Sequence, residues 1–336
     1  MSLVDDLLAG DQRALARVIT RIEDRVPGYR ETVAELHRHA GGAHVVGVTG
    51  PPGAGKSTLV DRVAAAYRER GQTVGVIAVD PASPFTGGAV LGDRIRMGAN
   101  AGDPGVFVRS MSARGTLGGL STATTDAVTA LDAFGKDVVI VETVGAGQNE
   151  VEVVRAADTV AVLVPPASGD DVQMLKAGVL EIADLFVVNK ADLDGADQTV
   201  RQLREMLHER TGQGSRDGDP VDDPDDGWDP PIVETTANTG AGVDDVLDAV
   251  GDHLDWLESS GHREAQVRER YAAAVRTLLR EDARDLLAEE LAARGGLEEY
   301  VDRIAARETD PYAVAEEVLA PLRECVRERG ERDEKE

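Results

Sequence analysis

The stretch Gly50–Ser57 constrains the fold of this chain more than any other. It reads GPPGAGKS and fits the phosphate-binding pattern G-x-x-x-x-G-K-[ST]. The apolar run 45–49 precedes it, as a buried parallel strand would, and a helical pattern that includes Leu59, Val60 and Val63 follows it. A strand, a glycine loop and a helix in this order predict a P-loop, rather than a glycine turn that merely joins a strand to a helix.

Each part of this loop has an expected role at a nucleotide. Glycines let backbone N–H groups turn inward around phosphate oxygens, and the start of the helix adds a positive dipole. We expect Lys56 to reach the β- and γ-phosphates and the Ser57 hydroxyl to hold Mg²⁺. The predicted phosphate contacts are Gly50, Pro51, Pro52, Gly53, Ala54, Gly55, Lys56, Ser57 and Thr58.

Further apolar runs alternate with helical patterns along the chain. The runs are 74–79, 138–141, 159–164, 185–188 and 232–234. This alternation predicts an α/β fold with a mainly parallel sheet flanked by helices, plus helical extensions at both ends. The predicted domains are an N-terminal helical extension at 1–42, a nucleotide-binding domain at 43–258 and a C-terminal helical region at 259–336. Residues 211–231 are rich in Asp, Gly and Pro and predict a flexible acidic insertion, with Trp228 as its anchor.

Acidic side chains stand at the ends of two predicted strands, where parallel sheets bind their ligands. Glu142 is expected to act on Mg²⁺ directly or through water, the alternative being a solvated strand-end acid. Gly145 would sense the γ-phosphate, and Gln148 would orient the attacking water. The candidate catalytic residues are Lys56, Glu142 and Gln148; the candidate metal ligands are Ser57, Asp80, Asp93 and Glu142.

The motif Asn189-Lys190-Ala191-Asp192 follows another buried strand and indicates a base preference. An Asp carboxylate at its fourth position accepts hydrogen bonds from guanine N1–H and the 2-amino group. Adenine lacks both donors and would leave the carboxylate unpaired, so we predict GTP and GDP as ligands. Asn189 and Lys190 would brace the base-binding loops. A further base-contacting loop is expected at Thr236, Ala237 and Asn238.

Two polar, glycine-rich stretches, 81–98 and 109–120, are predicted to be loops that switch with the nucleotide. The histidines at positions 37, 39 and 44 have no clear metal-ligand spacing, and we expect them to be exposed or to cap helices. Apolar stripes over 246–257, 275–287 and 314–326 predict helices whose faces pack either on the chain's own core or across a homodimer.

The net charge of −26 excludes several classes of partner. A chain this acidic repels nucleic acid and anionic membranes, and we expect neither as a partner. Because acidic residues occur in nearly every segment, an adaptation to molar salt, as in halophiles, is favoured over an acidic docking face. No run approaches a membrane span, the N-terminus is acidic rather than signal-like, and Cys325 is the single cysteine. We expect a cytoplasmic protein.

Several stretches together resemble the MeaB/ArgK family of P-loop GTPases, which includes the methylmalonic aciduria type A protein. The resemblance is carried by GVTGPPGAGKSTL from Gly47, VDPASPFTGGAVLGDRIRM from Val79, RSMSARGTLGGL from Arg109, VETVGAGQNEVEV from Val141, NKAD from Asn189 and DPYAVAEEVL from Asp310. It covers nearly the whole chain, except the acidic stretch 211–231, which is not recognised as a family feature.

The resemblance implies a Mg²⁺-dependent GTPase, often dimeric, that acts as a chaperone for adenosylcobalamin-dependent methylmalonyl-CoA mutase. It implies that Asp80, Asp93 and Glu142 lie near the metal and the switch loops. Three alternatives stay open. One is a metal-delivery GTPase, although the sequence has no Cys/His cluster or His-rich tract. The others are a kinase acting in amino-acid transport and a GTP-dependent binding module without catalysis.

Overall fold

The strands form one seven-stranded parallel sheet in the order β3-β2-β4-β1-β5-β6-β7. This computed structural model describes residues 2–80, 102–112, 119–143, 157–166, 180–213 and 227–333. The strands are β1 (His44–Thr49), β2 (Val74–Asp80), β3 (Val106–Ser112), β4 (Val138–Thr143), β5 (Thr159–Val164), β6 (Leu185–Asn189) and β7 (Ile232–Thr235). β1, β4, β5 and β6 are buried along their whole length, as continuous apolar runs predict.

Helices cover both faces of this sheet. The helices of the described residues are α1 (Leu3–Leu8), α2 (Gln12–Glu23), α3 (Tyr29–Leu36), α4 (Lys56–Glu69), α5 (Gly119–Ala133), α6 (Ala196–Gln213), α7 (Val243–Ser260), α8 (His262–Ala293), α9 (Gly296–Ala305) and α10 (Pro311–Asp333), and those that cover the sheet are α1 to α7. Successive strand residues point to opposite faces. Val45 packs with α1, α2, α3, α5 and α6, and Val46 packs with α4 and α7. The predicted α/β fold with helices on both faces of a parallel sheet is confirmed.

The segment between α3 and β1 is hydrogen-bonded to a carboxylate of α5. Asp132 accepts hydrogen bonds from the backbone N–H groups of Gly41, Gly42 and Ala43, at 2.6, 3.1 and 3.0 Å. Asp11 caps α2 by accepting from the Arg13 N–H at 2.8 Å. The three hydrogen bonds to Asp132 hold the chain that enters β1 against α5.

Strand β3 corrects the predicted loop over 109–120. The strand runs to Ser112 and α5 begins at Gly119, so only residues 113–118 of that range lie outside the described structure. β3 is an edge strand beside β2, and its polar Arg109 is paired. The Arg109 guanidinium donates to Glu23 at 2.6 Å and to Thr20 at 3.2 Å, both on α2. Met111 is fully buried, contrary to the expectation that this stretch is too polar for the core.

The chain divides into two compact units, Met1–Arg270 and Tyr271–Glu336. The second unit has a small core of Tyr300, Val314 and Val318. Asp310 caps α10 by accepting from the N–H groups of Tyr312 and Ala313 at 2.9 and 3.1 Å. Within the described residues, no helix is both long and apolar enough to cross a membrane.

The acidic stretch 211–231 is only partly described. α6 continues through Gln213, so the helix extends three residues into the range predicted as an insertion. Residues 214–226 lie outside the described structure. Trp228 is half-buried, and its indole N–H donates to the carbonyl oxygen of Asp184 at 2.5 Å. Trp228 therefore does anchor the chain that enters β7.

His44 is buried, which corrects the expectation that it is exposed or capping. It begins β1, and its Nε2 lies 2.9 Å from the Thr159 hydroxyl, which lies 2.8 Å from Nδ1 of His253 on α7. Nε2 of His253 is 3.4 Å from a carboxylate oxygen of Asp184. Burial lowers the pKa of His44 and of His253 to about 4 and raises the pKa of Asp184 to about 7. The sequence shows no sign of this cluster because its members, at positions 44, 159, 184 and 253, are far apart along the chain.

This cluster predicts a pH-dependent stability. Between pH 6.5 and 4 the unfolded chain binds protons at both histidines and the folded chain does not, so their contribution to stability falls as pH falls. Asp184 acts in the opposite direction, since its folded pKa lies above its unfolded value. We expect His44→Gln to reduce the difference in unfolding free energy between pH 7 and pH 5 by about 2 kcal/mol.

The measurement is urea unfolding at the two pH values. Asp184→Asn should enlarge the same difference, because it removes the opposing contribution. His39 is exposed, and His39→Gln serves as the matched control that leaves the pH dependence unchanged. An unchanged pH dependence in His44→Gln would contradict the assignment of a neutral buried imidazole.

Candidate functional site

The loop between β1 and α4 has a backbone that two of its glycines make possible. Gly50 and Gly55 have φ of 144° and 91°, a region that side chains disfavour. A Cβ on Gly50 would collide with the carbonyl oxygen of Leu163, and a Cβ on Gly55 would collide with the side-chain amide of Asn189. The loop therefore packs closely between β1, β5 and the end of β6, and its residue Ala54 is fully buried.

Lys56 is the first residue of α4 and is buried, with 6% of its surface exposed. Its ammonium group donates to the carbonyl oxygens of Gly50 and Pro51, at 2.7 and 3.0 Å. The side chain therefore folds back over the loop that precedes it. This places a positive charge at the amino end of α4, where the helix dipole also attracts anions.

Ser57 and Glu142 meet beside Lys56. The Ser57 hydroxyl donates to a carboxylate oxygen of Glu142 at 2.5 Å. Glu142 is buried and lies on β4, in register with Val48 of β1, so the sheet holds it next to the loop. A hydroxyl and a carboxylate in contact form a hard oxygen donor set, which is the chemistry that Mg²⁺ selects. The two residues fit the metal role predicted for them.

The other predicted metal and catalytic residues are only partly described. The backbone of Asp80 ends β2, two strands away from β1 in the sheet, and pairs with Ser112 of β3. Asp93, Gly145 and Gln148 lie outside the described residues. Their predicted roles therefore stay predictions.

Asn189 joins the predicted base-binding loop to the phosphate loop. Its side-chain N–H donates to the Ala54 carbonyl oxygen at 2.8 Å, and its side-chain oxygen accepts from the Ala237 N–H and the Thr235 hydroxyl, both at 3.1 Å. Lys190, with φ of 63°, donates to the Gly53 carbonyl oxygen at 2.8 Å. One buried amide thus joins the phosphate loop, the end of β7 and the 236–241 turn.

Thr235 has a role in the site, the support of Asn189, that the sequence analysis did not predict. It ends β7 in register with Asn189 of β6, is buried, and donates to the Asn189 side chain. A polar residue at the end of a strand next to that of Asn189 was the available signal. To use this signal, one must know that β6 pairs with β7, and the sequence alone does not reveal that pairing.

Three more predicted base contacts lie around this junction. Asp192 is exposed, two residues after Lys190. Thr236 closes a short turn by pairing with Ala241, and Asn238 is exposed within that turn. The structure therefore brings the predicted phosphate loop, Asn189, Lys190 and the 236–241 turn into one connected edge of the sheet.

Comparisons with known proteins agree with this geometry. The family model described as methylmalonyl Co-A mutase-associated GTPase MeaB matches residues 15–292. A GTPase-designated protein of Pyrococcus abyssi is 45% identical over 323 residues, covering 95% of this chain and 96% of that protein. The GTPase ArgK of Escherichia coli is 38% identical over 267 residues, covering 78% of each chain.

A solved structure of a LAO/AO transport system kinase has the same fold. It superposes with a TM-score of 0.68 at 26% sequence identity, and the match covers 96% of each chain. The parallel sheet, the phosphate loop and the Asn189 junction thus agree with the family match over most of the sequence. The chain belongs to the MeaB family of P-loop GTPases.

Proposed function

We propose that this GTPase assists cofactor loading and protection of adenosylcobalamin-dependent methylmalonyl-CoA mutase in the cytoplasm. One observation carries the proposal: the matched family model names that mutase, and the match spans residues 15–292. The GTPase activity itself follows from family membership. The role at the mutase goes beyond what family membership establishes.

The proposed phosphate chemistry uses the residues at the start of α4. Lys56 and the loop N–H groups bind the β- and γ-phosphates and stabilise the charge that develops as water attacks. Ser57 and Glu142 would hold Mg²⁺, with Asp80 and Asp93 proposed nearby; when bound, the ion neutralises charge on the phosphate oxygens. Gln148 is proposed to orient the water and Gly145 to contact the γ-phosphate.

The proposed base contacts come from two loops. The Asp192 carboxylate accepts from guanine N1–H and the 2-amino group, and its exposure at the surface leaves it open to a ligand. Asn189 and Lys190 hold the two loops in register through Ala54 and Gly53. Thr236, Ala237 and Asn238 complete the base end of the site.

The test mixes the purified chain with methylmalonyl-CoA mutase. We expect the mutase to change the rate of GTP hydrolysis or the affinity for GDP, and we expect a complex whose amount differs between GDP and GTP. Light scattering after size exclusion measures the complex. An acyl-CoA enzyme that uses no cobalamin is the control. If neither hydrolysis, affinity nor complex formation responds to the mutase, the proposed role is wrong and the GTPase assignment stands.

The same separation, run without the mutase, reports the state of the chain alone. We propose a homodimer, with twice the chain mass of 35.6 kDa. The support is an exposed apolar face on α8, since Tyr271, Val275, Leu279 and Leu286 are each 51 to 64% exposed and recur at helical spacing.

The kinase of the superposed structure supplies a second candidate function. A kinase acting in transport would move the γ-phosphate to an acceptor and would need no guanine preference. Incubation with γ-labelled GTP and ATP separates the two: a GTPase releases inorganic phosphate from GTP, and a kinase leaves the label on an acceptor. The proposed contact of the Asp192 carboxylate with guanine favours the GTPase.

A further inference from the structure

We propose that Arg62 is a positioning residue for guanine recognition. It holds the carbonyl group of Asn238, and the N–H group of the same residue is left for the base. Arg62 has no place in the phosphate-loop or N-K-x-D motifs. Its guanidinium Nη2 donates to the Asn238 carbonyl oxygen at 2.9 Å. The inference rests on the proposed nucleotide site and adds to it a residue that sets the strength of base binding.

Arg62 lies on the same helix as the phosphate-binding residues. It follows Lys56 by six positions on α4, which corresponds to about 9 Å along a helix. Leu59, Val60 and Val63 are buried and fix the helix against the sheet. Arg62 therefore reaches the base loop from a rigid element whose amino end lies at the phosphates.

The hydrogen bonds of the 236–241 turn show which N–H group is left for a ligand. Thr236 donates to Ala241, Ala237 donates to the Asn189 side chain, and Thr239 and Gly240 both donate to Thr236. The Ala241 N–H donates to the hydroxyl of Thr239. In the part of the chain that the structure describes, the N–H of Asn238 is the one amide of this turn without a partner.

An exposed amide with no partner suits a carbonyl acceptor such as guanine O6. The sequence analysis placed Ala237 and Asn238 equally at the base. The structure distinguishes them, because the Ala237 N–H is already given to Asn189 at 3.1 Å. Adenine carries an amino group in place of O6. Its amino N–H would face the Asn238 N–H, and two donors cannot form a hydrogen bond, so the same N–H would also discriminate against adenine.

The orientation of this amide depends on the peptides on either side of it. The preceding peptide is fixed by the bond from Ala237 to Asn189. The following peptide is fixed by two bonds, from Thr239 to the Thr236 carbonyl and from Arg62 to the Asn238 carbonyl. Removing the guanidinium leaves one of those two bonds. Because Arg62 is exposed, we expect the loss to be moderate.

Arg70 provides a matched control on the same helix. It is also exposed, and its guanidinium pairs with Asp244 and Asp248 of α7 at 3.3 and 2.9 Å. Like Arg62 it ties α4 to a neighbouring element, but it makes no contact with the 236–241 turn in the described residues. Arg70→Ala therefore reports the effect of loosening α4 without touching the base loop.

The experiment measures equilibrium binding of three diphosphates to the full chain and its variants. GDP and IDP both carry O6, and the diphosphate of 2-aminopurine riboside lacks it. We expect Arg62→Ala to weaken GDP and IDP by the same factor, about three- to tenfold, and to leave the 2-aminopurine nucleotide unchanged. Arg62→Lys should recover part of the loss. Arg70→Ala should leave all three affinities within about twofold of the wild type.

Two outcomes would overturn the inference. An equal loss for all three nucleotides in Arg62→Ala would show a general structural role, and no loss for GDP would show that the contact does not matter. Failure of the nucleotide site itself has a different signature, which is a wild-type chain that binds ADP as tightly as GDP. Thermal melting of the nucleotide-free variants checks that Arg62→Ala and Arg70→Ala are folded.

Discussion

Lys56→Ala should reduce the rate of GTP hydrolysis at saturating GTP by about a hundredfold or more. The lysine is buried at the amino end of α4, where its ammonium group now satisfies the carbonyl oxygens of Gly50 and Pro51. At a bound nucleotide this charge would face the transferring phosphoryl group, and alanine has nothing to replace it. Steady-state phosphate release measures the rate, and GDP affinity measured in parallel separates binding from catalysis.

Lys136→Ala is the matched control for this prediction. Lys136 is also buried, at 3% exposure, and also donates to a loop carbonyl, the oxygen of Gly105 at 2.8 Å. It precedes β4 and so lies at the amino ends of the strands, opposite the phosphate loop. We expect Lys136→Ala to lower stability and leave the hydrolysis rate of the folded protein unchanged. A Lys56→Ala protein that keeps more than a tenth of the wild-type rate would contradict the assigned role.

Asp192→Asn should lower GTP affinity by about a hundredfold and raise affinity for XTP. In the proposed site the carboxylate would accept from two guanine donors, and the amide of asparagine would turn a donor toward one of them. Xanthine carries a carbonyl oxygen at position 2, which accepts from that amide. Competition of GTP, XTP and ATP against a fluorescent nucleotide measures the change.

Asp194→Asn is the control for the base prediction. Asp194 is exposed like Asp192 and lies two residues further on, so its substitution makes the same change of charge nearby. We expect it to leave the preference for GTP unchanged. Asp192 would lose its assignment if Asp192→Asn still bound GTP with wild-type affinity or gained nothing for XTP.

The sequence predicted six of the seven strands and missed the edge strand β3. β1, β4, β5 and β6 are buried on both faces and so appear as continuous apolar runs. β3 pairs on one side and includes Arg109, whose charge is neutralised by Glu23, 86 positions away. A local pattern cannot reveal a partner so distant, and the strand therefore looked like a loop.

The site was predictable where a motif specifies it and not where tertiary contacts do. The contact of Ser57 with Glu142 was implied by a loop and a strand end that parallel pairing brings together. The roles of Thr235 and Arg62 depend on which strand lies beside Asn189 and on which side of α4 faces the 236–241 turn. His44 likewise became buried only because α7 covers the amino ends of the strands.

The side chain of Asn189 is buried and binds two loops and the end of β7, and that of Asp192 is exposed three positions later. Selection can therefore alter the preferred base at Asp192 with little effect on folding. A change at Asn189 would leave buried partners unsatisfied and disturb the whole edge of the sheet. In lineages of this fold, ligand choice is thus free to diverge while the junction beneath it stays under constraint.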